Sequence, residues 1–341
     1  MKIGLITPPW VPVPPPAYGG LEAVVDRLAR GLADAGHDVL LAAPGNSDCP
    51  VPCVPGLPEA HPDAGIIAET NREMRHLVGA YAGLGDRDVI HDHSIAGPLY
   101  RHRPSGVPVV VTNHGPFDDD TNVLFGAMQQ DTTIVAISES QAASARGVRI
   151  DRVVHHGMDV DQVPVGNGSG GYALFLGRMS PDKGAHEAIG IARAAGVPLR
   201  LAAKMREEAE HEYFDHEIAP LLGAEVEYVG EVDEDDKYQL LGEAVAMLNP
   251  IQWAEPFGLV MIEALACGTP VVTTSPGSVP EIVEDGRTGY IRDDPDELAA
   301  VLAKAAQLDR GACREEAEKR FTTRRMVQDH VRLYEDLISR R

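Results

Sequence analysis

Short apolar runs alternate with helical spacing along the N-terminal half of the chain. The runs predict strands at 2–7, 38–43, 88–91, 107–112 and 133–137. Between the first two, apolar positions recur every three or four residues from Leu21 to Leu32, which predicts a helix that ends at Gly36. Strands that are apolar on both faces and separated by helices are typical of a buried parallel sheet.

A second unit of the same kind follows residues 166–171, whose sequence GNGSGG has the composition of a linker. Apolar runs predict strands at 172–176, 199–203, 225–229, 246–249 and 270–274, with helices at 186–195 and 258–266. The pattern therefore predicts an α/β protein with two doubly wound, Rossmann-like domains, at 1–165 and 172–325. An amphipathic helix within 326–341 is expected to pack on either domain. We expect the carboxyl ends of the strands to face a cleft, where ligands of open α/β folds bind.

The charge of the chain excludes several classes of partner. The chain has 341 residues, which is enough for two domains of about 150 residues. Its 30 Lys and Arg and 52 Asp and Glu give a formal net charge of −22. Such a surface repels nucleic acids and anionic lipid headgroups, so we expect no nucleic-acid partner and no strong membrane association. The sequence has no apolar stretch of ~18 residues, no signal-peptide pattern and no zinc-type cysteine spacing. We therefore expect a cytoplasmic protein with reduced thiols.

Two acidic residues lie beside a predicted helix start in the segment 254–268, AEPFGLVMIEALACG. Glu255 falls in the loop, and Glu263, eight residues later, falls inside the helix opened by Gly258. A helix N-terminus offers free N–H groups and partial positive charge, which suit a phosphate. Glu263 has apolar neighbours on its helix, where an unpaired charge is costly. The pair therefore predicts a binding site, the alternative being surface carboxylates favoured by the helix dipole.

Two cations lie where the first strand of the second domain ends. Arg178 and Lys183 belong to GRMSPDKG, residues 177–184. One cation 4 Å from a phosphate contributes about 4 kcal/mol at an effective dielectric of 20. The pair is therefore suited to stabilising a departing diphosphate without a metal. The alternative is solvated surface charge with a turn at Asp182 and Lys183.

A pair of glycines precedes the first long helix. Gly19 and Gly20 let the backbone approach a ligand next to a helix N-terminus. The chain has neither a G-x-G-x-x-G pattern after its first strand nor a P-loop pattern, so the fingerprints of dinucleotide and P-loop sites are missing.

These segments resemble the family 4 retaining glycosyltransferases of the GT-B fold, the relatives of sucrose synthase and bacterial glycogen synthase. The motifs run in order through nearly the whole chain: Gly19-Gly20, D-x2-H-x-H at 88–93, Thr112-Asn113-His114, Ser138-Glu139, H-G-M-D at 156–159, G-R-x4-K-G from Gly177, E-P-F-G-L-V-x2-E-A-x-A-x-G from Glu255, T-P-V-V from Thr269, and G-S-V-P-E-I-V-x-D-G-x-T-G from Gly277. The resemblance implies the GT-B fold, retention of anomeric configuration, and no metal or other cofactor.

The resemblance also implies roles for individual residues. Arg178 and Lys183 would hold the diphosphate, Glu263 the ribose, Glu255 the transferred sugar, and His114 would lie beside the reacting carbon. The implied nucleotide-sugar site comprises Gly19, Gly20, Arg178, Lys183, Val229, Gly230, Glu255, Phe257, Gly258, Leu259, Val260 and Glu263. The implied catalytic group comprises His114, Arg178, Lys183 and Glu255.

We therefore expect a transferase that moves a sugar from a UDP-sugar, or next a GDP-sugar, to a hydroxyl of a small-molecule or glycan acceptor. We expect an actinobacterial natural-product or cell-envelope pathway. The alternatives are a nucleotide-sugar epimerase of similar architecture and a non-catalytic nucleotide-sugar-binding protein.

Several residues keep two interpretations. The residues Asp88, His91, Asp92 and His93 are interpreted as polar residues lining the cleft, with a metal site as the alternative. On one strand end His91 and His93 would point to the same side and Asp92 away from them. Trp253 is either a sugar-stacking ring or a core aromatic, and it lies in N-P-I-Q-W, which replaces the family's Pro-Ser. His155 and His156 are interpreted as surface residues between the two domains. The first domain is short after residue 44, so the acceptor is not predicted.

Overall fold

The computed structural model describes residues 1–60 and 66–340 and divides them into two compact units. The first unit contains Met1–Gly157 together with the chain from Thr323 onward, and the second contains Met158–Thr322. Residues 61–65 and 341 fall within the predicted first domain and C-terminal segment, and they lie outside the described residues.

The first unit is built on a parallel sheet. In the described part of the chain its strands are β1 (Lys2–Ile6), β2 (Asp38–Ala43), β3 (Cys53–Pro55), β4 (Val89–Asp92), β5 (Val109–Thr112), β6 (Thr133–Ala136) and β7 (Arg152–Val153), in the order β3-β2-β1-β4-β5-β6-β7. Its helices include α1 (Gly20–Asp34), α2 (Ile66–Gly83), α3 (Asp119–Met128), α4 (Glu139–Ser144) and a C-terminal helix (Thr323–Ser339). Strands β4 and β5 are buried along their whole length, as the apolar runs predict.

The C-terminal helix packs against α1 of the first unit. A Cβ atom on Gly31 would lie 2.6 Å from Cγ2 of Val327, so the two backbones approach closely there. Buried Met326, Val327, Leu333 and Tyr334 form the apolar side of this helix. This contact decides between the two domains on which the helix could pack.

The second unit contains a parallel sheet of six strands within the described residues. These are β8 (Ala173–Arg178), β9 (Leu199–Lys204), β10 (Val226–Gly230), β11 (Ala246–Asn249), β12 (Val271–Thr273) and β13 (Gly289–Ile291), in the order β10-β9-β8-β11-β12-β13. The helices are α5 (Ala185–Ala195), α6 (Glu208–Tyr213), α7 (Glu234–Glu243), α8 (Leu259–Ala266), α9 (Val279–Ile282), α10 (Pro295–Ala305) and α11 (Arg310–Arg320). The strand order reverses between β8 and β11: from β8 the next strands are added on one side of the sheet, and from β11 they are added on the other. Open α/β sheets bind ligands at such a point.

Residues 166–171 lie within the second unit, and the boundary between units falls earlier, at Gly157 and Met158. The N–H of Gly166 donates to the carbonyl of Cys267, and that of Gly168 donates to Gly242, each at 3.0 Å. Arg310 Nε donates to the carbonyl of Gly166. Backbone hydrogen bonds thus hold a segment whose composition predicts a free linker, because glycines allow backbones to approach closely.

None of the helices in the described ranges is long and apolar enough to cross a membrane.

Candidate active site

The end of β8 leads into a tight connection that carries Lys183. Arg178 is the last residue of β8, and a short 3₁₀ turn at Pro181–Lys183 follows. Gly184 then takes a left-handed conformation with φ of 77° and begins α5. A Cβ at this position would overlap the carbonyl oxygen of Pro250. Glycine is therefore required both by the left-handed conformation and by the close approach of Pro250. The packing brings the loop after β11 against the Lys183 turn.

Lys183 forms an ion pair with Glu255, which lies 72 residues away in the sequence. Their side chains are only 12% and 14% exposed. Lys183 Nζ also lies 5.4 Å from the centre of the Trp253 ring. Among the described residues, none hydrogen-bonds to the buried Oε2 of Glu255 or to Nε1 of Trp253. The pair therefore retains one free carboxylate acceptor beside a cation.

Helix α8 begins directly after this carboxylate. Gly258 precedes it in a left-handed conformation with φ of 86°, and no described side chain caps the first turn at Leu259 and Val260. The Phe257 ring is buried and packs edge-on against Phe321, and its backbone carbonyl accepts a hydrogen bond from the Ser278 hydroxyl. An uncapped helix N-terminus presents N–H donors and partial positive charge to an anion.

Arg178 is held by its own turn. Its guanidinium donates to Asp182 Oδ2 at 3.0 Å and to Ser180 Oγ at 3.2 Å. Burial raises the pKa of Asp182, but the Ser180 hydrogen bond and the charge of Arg178 outweigh it and lower that pKa below its usual value. Asp182 therefore pairs with Arg178, and Lys183 is left to Glu255.

A second buried cation lies beside Arg178 on the neighbouring strand. Lys204 ends β9 and is in register with Arg178. It donates to Glu210 at 3.0 Å and to Glu207 at 3.2 Å. Lys204 is missing from the residues predicted from sequence, although it lies at the end of an apolar run as Arg178 does.

Glu263 lies on α8 and is 7% exposed. It accepts a hydrogen bond from Lys237 Nζ at 2.7 Å, so α7 supplies the positive charge that its burial demands. Lys237 is a further residue missed by the sequence reasoning, though it is the cation nearest the acidic helix start at 233–236. Val229 and Gly230 end β10.

Gly19 and Gly20 lie at the start of α1 in the first unit. Gly20 begins the helix, and a Cβ on Gly19 would lie 2.5 Å from Cβ of Pro15. Burial raises the pKa of Glu22 in the first turn to about 7. The glycines therefore hold a proline-rich loop close to the helix N-terminus.

His114 follows β5 on a loop that Gln141 holds in place. The amide nitrogen of Gln141 donates to the carbonyls of Asn113, at 3.0 Å, and Gly115, at 2.6 Å. Its amide oxygen accepts from the N–H of Ile137 at 2.7 Å. Gln141 is 3% exposed, so these bonds fix the loop on both sides of His114 within the protein interior.

His114 belongs to a group of five histidines, here called the imidazole cluster. His91, His93, His156 and His330 are buried, and His114 is partly buried. Ring centroids are 4.0 Å apart for His91 and His93, and 5.2 Å for the stacked rings of His114 and His156. His156 is 6% exposed, so it is a buried member of the cluster and not a solvent-exposed residue. His330 and Tyr334 reach the cluster from the C-terminal helix.

Burial keeps the imidazole cluster neutral. Desolvation lowers the pKa of His114 to about 3 and that of His330 to about 4, and those of His91, His93 and His156 fall well below the usual value. Asp92 points away and accepts from Tyr81 at 2.7 Å. In the described part of the chain, no three His, Cys, Asp or Glu side chains form a group that could hold a metal ion.

Two family models match consecutive parts of the chain. Residues 18–162 match Glycosyltransferase Family 4, and residues 162–321 match the Glycosyl transferases group 1 family. Together they span both units and include the Lys183 turn, α8 and the imidazole cluster up to His156. The chain is a family 4 glycosyltransferase.

Relatives of this glycosyltransferase extend over most of its length. It is similar to the phosphatidyl-myo-inositol mannosyltransferase of Mycolicibacterium smegmatis, with 27% identity over 336 residues, 89% of this chain and 84% of the relative. Among solved structures it resembles AviGT4, a glycosyltransferase involved in avilamycin A biosynthesis, with 29% identity, a TM-score of 0.72, and coverage of 99% and 98% of the two chains. HepE of Anabaena, solved with UDP-glucose, has 19% identity, a TM-score of 0.79, and coverage of 98% and 100%. The last likeness shows the GT-B fold alone.

The predicted site residues of the glycosyltransferase fall into two groups. Arg178, Lys183, Glu255 and the α8 N-terminus lie at the carboxyl ends of β8 and β11 in the second unit. Gly19, Gly20 and His114 lie in the first unit.

Proposed function

We propose that this glycosyltransferase moves a sugar from a nucleoside diphosphate sugar to a hydroxyl group of a small-molecule or glycan acceptor, with retention and without a metal ion. UDP is the nucleotide we favour, followed by GDP. The observation that carries the proposal is the buried pair of Lys183 and Glu255, which places a cation and a free carboxylate oxygen together at a strand end.

The second unit offers a matching group for each part of such a donor. Lys183 uses one of its N–H donors on Glu255, which leaves others for a diphosphate. The amides of the α8 N-terminus add donors, and Glu255 Oε2 accepts from a sugar hydroxyl. Glu263, held by Lys237, accepts from the ribose hydroxyls.

The charge that develops in the reaction falls on the diphosphate. The bond from the sugar carbon to the diphosphate oxygen breaks, a bond to the acceptor oxygen forms on the same face, and the acceptor proton passes to the leaving phosphate oxygen. Lys183 and Arg178 stabilise the departing anion, because preorganised charges act most strongly where new charge appears.

The test begins with a thermal-shift screen of nucleoside diphosphates and their sugars, since a ligand at 100 times its Kd adds about 2.7 kcal/mol of stability. Product analysis with the best donor follows, with and without candidate acceptors. A glycoside that keeps the anomeric configuration of the donor supports the proposal. A rearranged sugar and free UDP without an acceptor identify an epimerase, and binding without turnover identifies a binding protein.

Metal dependence is tested in the same assay. We expect initial rates to survive excess EDTA, because Arg178 and Lys183 supply the charge that a metal would provide. Loss of turnover in EDTA that Mg²⁺ restores would contradict this part of the proposal.

A further inference from the structure

One hydrogen bond in the imidazole cluster joins two neutral rings. His93 Nδ1 lies 2.9 Å from His114 Nε2. A neutral imidazole carries one proton, on one of its two nitrogens. One of these two atoms must therefore donate and the other accept, and the hydrogen bond links the protonation sites of both rings.

The remaining nitrogen of His93 decides the direction. Its Nε2 is buried, and none of the described residues hydrogen-bonds to it. A buried N–H without an acceptor is rarer in proteins than a buried acceptor without a donor. The proton of His93 therefore belongs on Nδ1, from which it donates to Nε2 of His114. Nε2 of His114 is then an acceptor, and the proton of that ring is on Nδ1.

The rings around this pair restrict its reorientation. His93 packs on His91, whose Nδ1 and Nε2 lie 2.6 Å from the Tyr334 hydroxyl and 2.7 Å from the Thr112 hydroxyl. His114 stacks on His156, and Gln141 holds the backbone on both sides of His114. The groups facing the pair are other neutral imidazoles and Tyr334, with Arg325 and Asp329 beside His330.

We propose that His93 is a positioning residue that fixes His114 as its Nδ1–H tautomer, so that His114 offers the ligand a hydrogen-bond donor and not a base. The role at the ligand rests on the proposed function, whereas the tautomer does not. The available nitrogen of His114 already carries a proton, so His114 donates to an oxygen of the ligand. It does not remove a proton from the acceptor hydroxyl, which leaves that step to the phosphate oxygen of the donor.

The tautomer is tested on the ligand-free protein by long-range ¹H–¹⁵N correlation spectra after ¹⁵N-histidine labelling, with His114→Gln for assignment. We expect protonated Nδ1 and unprotonated Nε2 for His114, and the same tautomer for His93. A protonated Nε2 on His114 would overturn the proposal. This readout does not need turnover, so it stands even where no donor sugar supports transfer.

Two substitutions separate positioning from packing. His93→Asn retains an N–H near the place of Nδ1, whereas His93→Leu fills space without a donor. We expect His93→Leu to lower kcat at least ~10-fold with little change in KM, and His93→Asn to keep kcat within ~3-fold of the unmodified protein. The exposed His102→Leu provides the matched control. Equal loss in the Asn and Leu variants, with the His114 tautomer unchanged in both, would show that His93 only fills space and would overturn the proposal.

Discussion

Replacement of Lys183 by alanine separates the catalytic role of the Lys183–Glu255 pair from its structural role. In the ligand-free protein the substitution leaves the Glu255 carboxylate without its cation, 14% exposed and with Oε2 buried. In the proposed reaction it removes a positive charge from the departing diphosphate. The two losses occur in different states, so they can be measured separately.

The two losses also differ in size. A charge 4 Å from a phosphate contributes about 4 kcal/mol at an effective dielectric of 20, and one charge-stabilising donor contributes at least ~100-fold to kcat. We therefore expect Lys183→Ala to lower kcat by ~100-fold or more. Removal of one partner from a mostly buried pair costs about 2 kcal/mol of unfolding free energy, between values for exposed and fully buried pairs.

A second substitution distinguishes the two effects. Glu255→Gln removes the unpaired charge, so the double variant Lys183→Ala/Glu255→Gln should be more stable than Lys183→Ala alone. Its turnover should remain low, because the cation at the diphosphate is still missing and the carboxylate at the sugar is now replaced by an amide. A rise in stability without a rise in kcat is therefore the expected signature of the pair.

The assay combines initial rates of nucleoside diphosphate release with urea unfolding of the same preparations. Lys304→Ala, which removes an exposed lysine from α10, serves as the matched control and should change neither quantity. A loss of kcat below threefold in Lys183→Ala would refute its role at the diphosphate. An unfolding free energy of Lys183→Ala equal to that of the unmodified protein would refute the structural role of the ion pair.

Three further outcomes are expected. Glu263→Gln should weaken UDP or GDP binding ~10-fold in calorimetry, and unchanged affinity would remove the ribose assignment. Gly184→Ala should destabilise the protein by more than the about 1–2 kcal/mol of a left-handed alanine, because its Cβ meets Pro250, whereas Gly196→Ala, with φ of 66° and open space, should cost only that amount; equal losses would contradict the close contact. Burial lowers the pKa of His330 to about 4, so between pH 6.5 and 4 the unfolded chain binds a proton that the folded chain does not, and stability falls as the pH falls. Between pH 7.5 and 5.5, the free energy of unfolding of His330→Phe, measured with urea, should therefore fall by about 1.4 kcal/mol less than that of the unmodified protein. Parallel pH profiles of the two proteins would count against a neutral His330.

The central strands of both sheets are predicted from sequence to within two residues, from 38–43 for β2 to 246–249 for β11. Strands buried on both faces are continuous apolar runs, so they can be recognised in the sequence without knowing which strands lie beside them. The edge strands Cys53–Pro55, Arg152–Val153 and Gly289–Ile291 are missed because each is only two or three residues long. The composition of residues 166–171 does not distinguish between two structures, because a glycine-rich segment is typical of linkers and also of backbone that packs closely against other backbone.

The sequence by itself determined the α/β architecture. It also determined that Arg178 ends a strand, that Lys183 and Glu255 lie in loops before helices, and that Glu263 lies inside a helix, because periodicity and loop position are local properties of the chain. Only the tertiary structure decided which charges neutralise one another: Lys183 meets Glu255 and not its neighbour Asp182. It also decided that histidines from strand β4, from the loops after β4, β5 and β7, and from the C-terminal helix form one cluster. Pairing depends on distance in space, and burial depends on what packs over a residue, so neither can be inferred from spacing along the chain.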